Sequence, residues 1–160
     1  MPYKTAVVCL NGHIFTRDIE TISSHETISH CPQCGLKLVS TCIHCNSPLH
    51  GFKVQNNGMM IDSNSPPDAY CYNCGQPYPW TESALENAEL IINEMDCLSD
   101  TEREKLCLSF KDLMQETPKT NYAILLAKKA LAASKGILKQ AFCDLLISSC
   151  CESVKKQLGI

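Results

Sequence analysis

The chain has 160 residues, a formal charge of −3, 44% hydrophobic and 19% charged residues. This excludes a disordered chain and leaves room for one ordinary domain or two small ones. No run of about 18 apolar residues occurs, and the opening MPYKTAVVCLNGH lacks a charged segment followed by an apolar one, so neither a bilayer-spanning helix nor an export signal is expected.

Residues 1–80 are punctuated by turn formers, from Asn11-Gly12 through Pro32, Gly35, Pro48, Gly51 and Pro66-Pro67 to Gly75, Pro77 and Pro79. Short β-favouring pieces lie between them: Tyr3–Val8, Ile14–Ile19, Lys37–Ser40 and Gly51–Gln55. Asn56-Asn57-Gly58 forms a hairpin turn between Phe52-Lys53-Val54 and Met59-Met60-Ile61. Leucines are too few here for a conventional core. This half instead carries seven of the twelve cysteines, in four knuckles. They are Cys9/His13 in CLNGH, Cys31/Cys34 in CPQCG, Cys42/Cys45 in CIHCN and Cys71/Cys74 in CYNCG.

Each C-x-x-C turn brings two thiolates to one tip and leaves half a tetrahedron for a second knuckle. Eight ligands complete two closed sites, which is the inventory of two structural Zn²⁺ ions. The knuckles pair in one of three ways. Sequential pairing joins Cys9/His13 with Cys31/Cys34, and Cys42/Cys45 with Cys71/Cys74. Nested pairing joins the inner two knuckles and the outer two, and alternating pairing gives a cross-brace. The intervals of 17 and 25 residues inside each sequential site suit a returning hairpin and favour that arrangement. His25, His30, His44 and His50 lie within reach as substitute ligands, although eight are present without them.

Sites closed by four protein ligands, three or four of them thiolates, leave no position for a reacting water, and no H-x-E or H-E-x-x-H signature accompanies them. A non-enzymatic protein is therefore expected. Asp18, Glu20 and Glu26 read as unpaired surface acids. Iron with electron transfer is the competing use of such knuckles, and His13 weighs against it because a rubredoxin-type iron wants four thiolates. Without an export signal the thiols belong in a reducing, cytoplasmic setting.

From Pro79-Trp80 onward the pattern turns helical. Thr81, or Ser83 in a capping box with Glu86, caps a helix running to about Met95, with Leu85, Ala88, Ile92 and Met95 on one face. Ser99 and Glu102 form a capping box for a second helix carrying Leu106, Phe110 and Leu113, which Thr117-Pro118 stops. A third runs from Lys119 or Thr120 to Ser134 with Tyr122, Leu125, Leu126 and Lys129 at helical spacing. The last amphipathic stretch, Ile137 to Leu158, bears Leu138, Ala141, Phe142, Leu145 and Ser149, and Gly136 either breaks it from the third helix or is absorbed. The expected fold is α+β: a double zinc-ribbon module over 1–80 and a three- or four-helix bundle over 81–160. Cys97, Cys107, Cys143, Cys150 and Cys151 read as small apolar residues of those helices, with the adjacent Cys150-Cys151 pair a place to test for oxidation or acylation.

Charge is unevenly spread. Residues 81–117 hold ten acids against three cations, and residues 118–160 hold seven lysines against two acids. Two solvated, mutually attracting sets of helix faces account for this; a basic surface for an anionic partner is the sharper alternative. Residues 1–80 carry four fixed cations against five acids, too few to grip a phosphate backbone. Phe15, Phe52, Tyr70, Tyr72, Tyr78 and Trp80 are read as packing groups rather than base-stacking ones. The ribbon is thus expected to face a protein partner as an adaptor. The alternative is a nucleic-acid-associated regulator using the lysine-rich C-terminal helices, and a homo-oligomer through the helical half is a further expectation.

The segments AVVCLNGHI (Ala6–Ile14), CPQCG, CIHCNSPLHG and AYCYNCGQPYPWTE (Ala69–Glu82) resemble an uncharacterised bacterial zinc-ribbon family, a domain of unknown function. The likeness is specific over residues 6–82 and looser over the helical half, at Leu98-Ser99, Asp112-Leu113 and Thr117-Pro118-Lys119-Thr120. It implies a bacterial origin and zinc ligands at Cys9, His13, Cys31, Cys34, Cys42, Cys45, Cys71 and Cys74, and it implies no activity.

Overall fold

The computed structural model describes residues 3–22, 28–61 and 66–160. Two compact units follow one another, Met1–Thr81 and Glu82–Ile160. The fold is α+β, with small antiparallel sheets first and helices after them.

In the first unit, strands β1 (Tyr3–Thr5), β5 (His50–Val54) and β6 (Met60–Ile61) make one sheet, in the order β1-β5-β6. Strands β3 (Ile14–Thr16), β2 (Val7–Cys9) and β4 (Leu38–Val39) make the other, in that order. The piece expected as one strand, Tyr3–Val8, is therefore divided. At Ala6 the chain passes from one sheet to the other, and the Ala6 amide donates to the Leu49 carbonyl at 3.0 Å. The β5–β6 hairpin turns at Asn56-Asn57-Gly58 as expected, with Lys53 opposite Ile61 and Val54 opposite Met60. Gly51 is required by crowding: a Cβ there would lie 1.8 Å from the Arg17 carbonyl oxygen. A 3₁₀ turn at Ile19–Thr21 is capped by Asp18, whose carboxylate accepts the Glu20 amide. Asp18 is buried and pairs with Lys4 at 3.5 Å, and Glu20 also bonds Lys4, so neither is the unpaired surface acid expected. Glu26 lies outside the described residues.

The helical unit comprises α1 (Pro79–Asn93), α2 (Asp100–Ser109), α3 (Lys111–Met114), α4 (Thr120–Ala133), α5 (Gly136–Ser149) and α6 (Glu152–Leu158); α1 begins in the ribbon unit's last three residues. Helix α1 starts three residues earlier than a cap at Thr81 would place it. Thr81 is buried inside it, its hydroxyl donating to the Ala69 carbonyl at 2.6 Å instead of capping. The Ser99–Glu102 capping box opens α2 as read. The expected second helix is cut in two at Phe110, just after the Ser109 hydroxyl bonds the Lys105 carbonyl and competes with the helix ladder. Thr117, Thr120 and the buried Asp112 then sew the α3–α4 loop: the Thr117 hydroxyl donates to the Asp112 carboxylate at 2.8 Å and the Thr120 hydroxyl to its carbonyl at 3.0 Å. Gly136, at φ +60°, breaks the chain between α4 and α5. Cys150-Cys151 separates α5 from α6, and the Cys151 amide donates to the Leu113 carbonyl.

The face of α4 differs from expectation. Ala123, Ile124, Ala127 and Ala130 are buried, whereas Tyr122 and Leu125 are half exposed. Alanine is the best helix former and lets neighbouring helices approach closely, so close packing takes precedence over side-chain size.

Candidate metal centres

Three of the knuckles are one structural unit repeated. The amide of the first cysteine donates to the carbonyl five residues on: Cys31 to Leu36, Cys42 to Ser47 and Cys71 to Gln76, at 2.7–2.9 Å. The residue after the second cysteine donates back to the first cysteine's carbonyl, from Gly35, Asn46 and Gly75, at 2.8–2.9 Å. Each knuckle is closed by a bridge across its base, His30–Lys37, Thr41–Pro48 or Tyr70–Pro77. The donating residue sits at positive φ, +73° at Gly35, +71° at Gly75 and +58° at Asn46, where glycine or asparagine is tolerated. The Cys9/His13 knuckle is a tighter variant at the β2–β3 turn, with Gly12 donating to Cys9 and Cys9 to His13 through the backbone. Pairing of β2 with β4, Cys9 opposite Leu38, lays the Cys31/Cys34 knuckle beside it.

The ligand atoms gather into two groups, Cys9, His13, Cys31 and Cys34, and Cys42, Cys45, Cys71 and Cys74, each within 4.8 Å of one another. This is the sequential pairing. All eight residues singled out from sequence are brought together, and every cysteine in the chain is unpaired by disulfide. Of the substitute histidines, His30 bonds Ser29, His44 is exposed and His50 lies between two tyrosines, all outside the groups; His25 lies outside the described residues.

The donor sets fit zinc. Sulfurs 2.3 Å from a tetrahedral ion stand about 3.8 Å apart, and a sulfur and an imidazole nitrogen about 3.6 Å. Across knuckles, Cys9–Cys34 is 3.7 Å, Cys42–Cys74 is 3.8 Å, Cys45–Cys71 is 3.6 Å, and Cys31 Sγ to His13 Nδ1 is 3.7 Å. A disulfide would need about 2 Å. These spacings suit sulfurs arranged around an ion.

The surroundings decide which thiols ionise readily. The Ser47 hydroxyl and amide, with the Asn73 side chain, pull Cys45 down to about 5. Burial pushes Cys31 up, but the amides of Gln33 and Cys34 and the His13 ring outweigh it and bring it down to about 6. At Cys74 the Gln76 amide pulls down while burial and the neighbouring sulfurs prevail, pushing it up to about 12. Burial likewise raises Cys9. A cation that accepts four sulfurs must displace the protons such crowding retains. Tyr78, buried and facing Cys71, has its hydroxyl pushed up by burial and then by that sulfur, so it stays a donor. Ser47, Asn73 and Tyr78 were not read from sequence as part of the site. The signal for Ser47 was its place one residue beyond the CIHCN knuckle.

The aromatics behave as packing groups in part. Tyr78 stacks on Trp80 at 4.7 Å, and the Trp80 indole donates to the Asp68 carbonyl. His50 is stacked between Tyr3 and Tyr72, 4.2 Å from each, with its ring 3.1 Å from the Asp68 carboxylate.

Compared with known proteins, residues 2–158 match a family described as "Uncharacterized protein conserved in bacteria (DUF2321)", and the chain belongs to it. The resemblance read from the knuckles thus extends through the helical unit. No curated protein and no solved structure matches the chain.

Proposed function

We propose, with that bacterial family as the premise, that the chain is a non-enzymatic zinc protein of the cytoplasm whose ribbon unit is an adaptor surface for a protein partner. The observation that carries this reading is the closed donor set. Four side chains converge at each centre, so the ion would have no position left for water or substrate and would brace the fold. Apolar side chains facing solvent on the same unit support an adaptor role: Ile43 and Tyr72 at knuckle tips are 53% and 46% exposed, and Met59 and Met60 on the β5–β6 hairpin are 62% and 52% exposed. The unpaired cysteines accord with a reducing compartment, and no helix among the described residues is long and apolar enough to cross a membrane.

Elemental analysis tests the metal, with two zinc ions per chain expected. Affinity capture from a bacterium that carries the protein tests the surface. An Ile43→Asp, Met60→Asp variant that still holds two zincs should lose a protein the native chain retains, and equal retention would remove the adaptor reading.

A second reading has its own support. Helix α4 carries no acid and exposes Lys128 and Lys129, with Lys119 beside it, a surface suited to nucleic acid. Retention on DNA or RNA that falls steeply with added salt would favour it, and no retention at low salt would end it.

A further inference from the structure

The two centres share a layout but differ in what they turn toward solvent. In every knuckle the first ligand is buried and the second is half-buried. The inner ligands are Cys9, Cys31, Cys42 and Cys71, and the outer ones are His13, Cys34, Cys45 and Cys74. The outward half of the first centre is therefore an imidazole and a thiolate, whereas that of the second is two thiolates. Cys45 and Cys74 come from different knuckles, and their sulfurs lie within 4.8 Å of each other. An imidazole cannot enter a disulfide, so only the second centre has both halves of such a bond within reach of a solute.

We infer that the four-cysteine centre is an oxidation site: a peroxide joins Cys45 to Cys74 and releases that centre's zinc, while the three-cysteine, one-histidine centre keeps its ion. This rests on the zinc reading above. The Cys45 sulfur attacks one peroxide oxygen, the O–O bond breaks and hydroxide leaves, making a sulfenic acid. The Cys74 sulfur then attacks the Cys45 sulfur, the S–S bond forms and the sulfenic oxygen leaves as hydroxide. Two thiolates, one hydrogen peroxide and two protons become one disulfide and two waters, the two electrons passing from sulfur to the peroxide oxygens. Cys42 and Cys71 remain, half the ligands of a structural zinc site. At the first centre the same attack on Cys34 leaves only the buried Cys9 and Cys31 to respond, and the Cys9 sulfur, 3.7 Å away, lies at the end of β2. Closing that bond would draw the strand end outward. A thiol reductant reverses the change at Cys45 and Cys74 by exchange.

The test begins with a zinc count. A chain purified without zinc would overturn the metal reading, whereas two zincs per chain allow the inference itself to be judged. Hydrogen peroxide is then added beside a chromophoric zinc chelator, with alkylation of remaining thiols and mass mapping of disulfides. A first, fast phase releasing one zinc per chain is expected, with the ion of the first centre retained through it and lost, if at all, roughly tenfold more slowly. A Cys45–Cys74 bond should appear with the first phase and be reversed by dithiothreitol. Release of both ions in a single phase, or any other first disulfide, overturns the inference. Cys74→His gives the second centre the donor set of the first and should abolish the fast phase, while His13→Cys should add another. If Cys74→His is purified with only one zinc, the native map and His13→Cys carry the test.

Discussion

The two units solve one problem by opposite means. In the helical unit sixteen buried residues, among them Phe110, Leu113, Phe142 and Leu146, form one apolar cluster. Among the described residues of the ribbon unit six do, and two of those are the ligands Cys42 and Cys71. Apolar burial contributes about 25 cal/mol per Å², so so small a cluster cannot offset the entropy of ordering the chain. A bound ion supplies about 10 kcal/mol or more in comparable sites. On the zinc reading, sulfur and metal would take the place that leucine and phenylalanine hold in the helices.

Removing metal should break this comparison most severely. Chelation, or Cys34→Ser, is expected to abolish the dispersed NMR signals of the ribbon while most helical circular dichroism remains, with zinc restoring the chelated protein. Loss of all helical signal would mean that the units fold as one. Phe142→Ala is the counterpart in the other unit: a cost of about 3–5 kcal/mol to helical stability, with two zincs still bound. Thermal unfolding and elemental analysis check it. Gly51→Ala, with no room beside Arg17, should cost the ribbon about 1–3 kcal/mol and leave the helical transition unmoved.

The smallest effect is on pH dependence. Cys45 and Cys31, held at about 5 and 6, are already thiolates at neutral pH, whereas Cys74, at about 12, keeps its proton until metal displaces it. Zinc uptake therefore releases protons, and each proton released makes the apparent affinity about tenfold higher per pH unit gained. Competition against a chelator between about pH 6 and 8 should show this rise; a flat profile would mean that no protons are displaced.

The legibility of the chain follows the same division. Metal chemistry admits few residue types at fixed spacing, so Cys31, Cys34, Cys71 and their fellows stood out before any fold was known. The Ser99–Glu102 capping box was equally plain, because both partners lie within one turn. What escaped was set by distant neighbours. The buried side of α4 is marked by Ala123, Ala127 and Ala130, whose small side chains give little hydrophobic signal, while Tyr122 and Leu125 advertise the outer side. The division of the first strand at Ala6 depends on Leu49, and the interruption at Cys150-Cys151 on Leu113. Asn73 was hidden because an amide reaching a sulfur leaves no pattern of its own, and Ser47 showed only by its place beside a knuckle.

Sequential pairing also bears on the timing of biosynthesis. Every ligand of the first centre lies within the first 34 residues and every ligand of the second within the first 74. On the ribosome, both ions can be captured by the nascent polypeptide before most of the helical sequence has been translated. On the zinc reading, cellular zinc supply would thus act on the ribbon before the helical unit can fold.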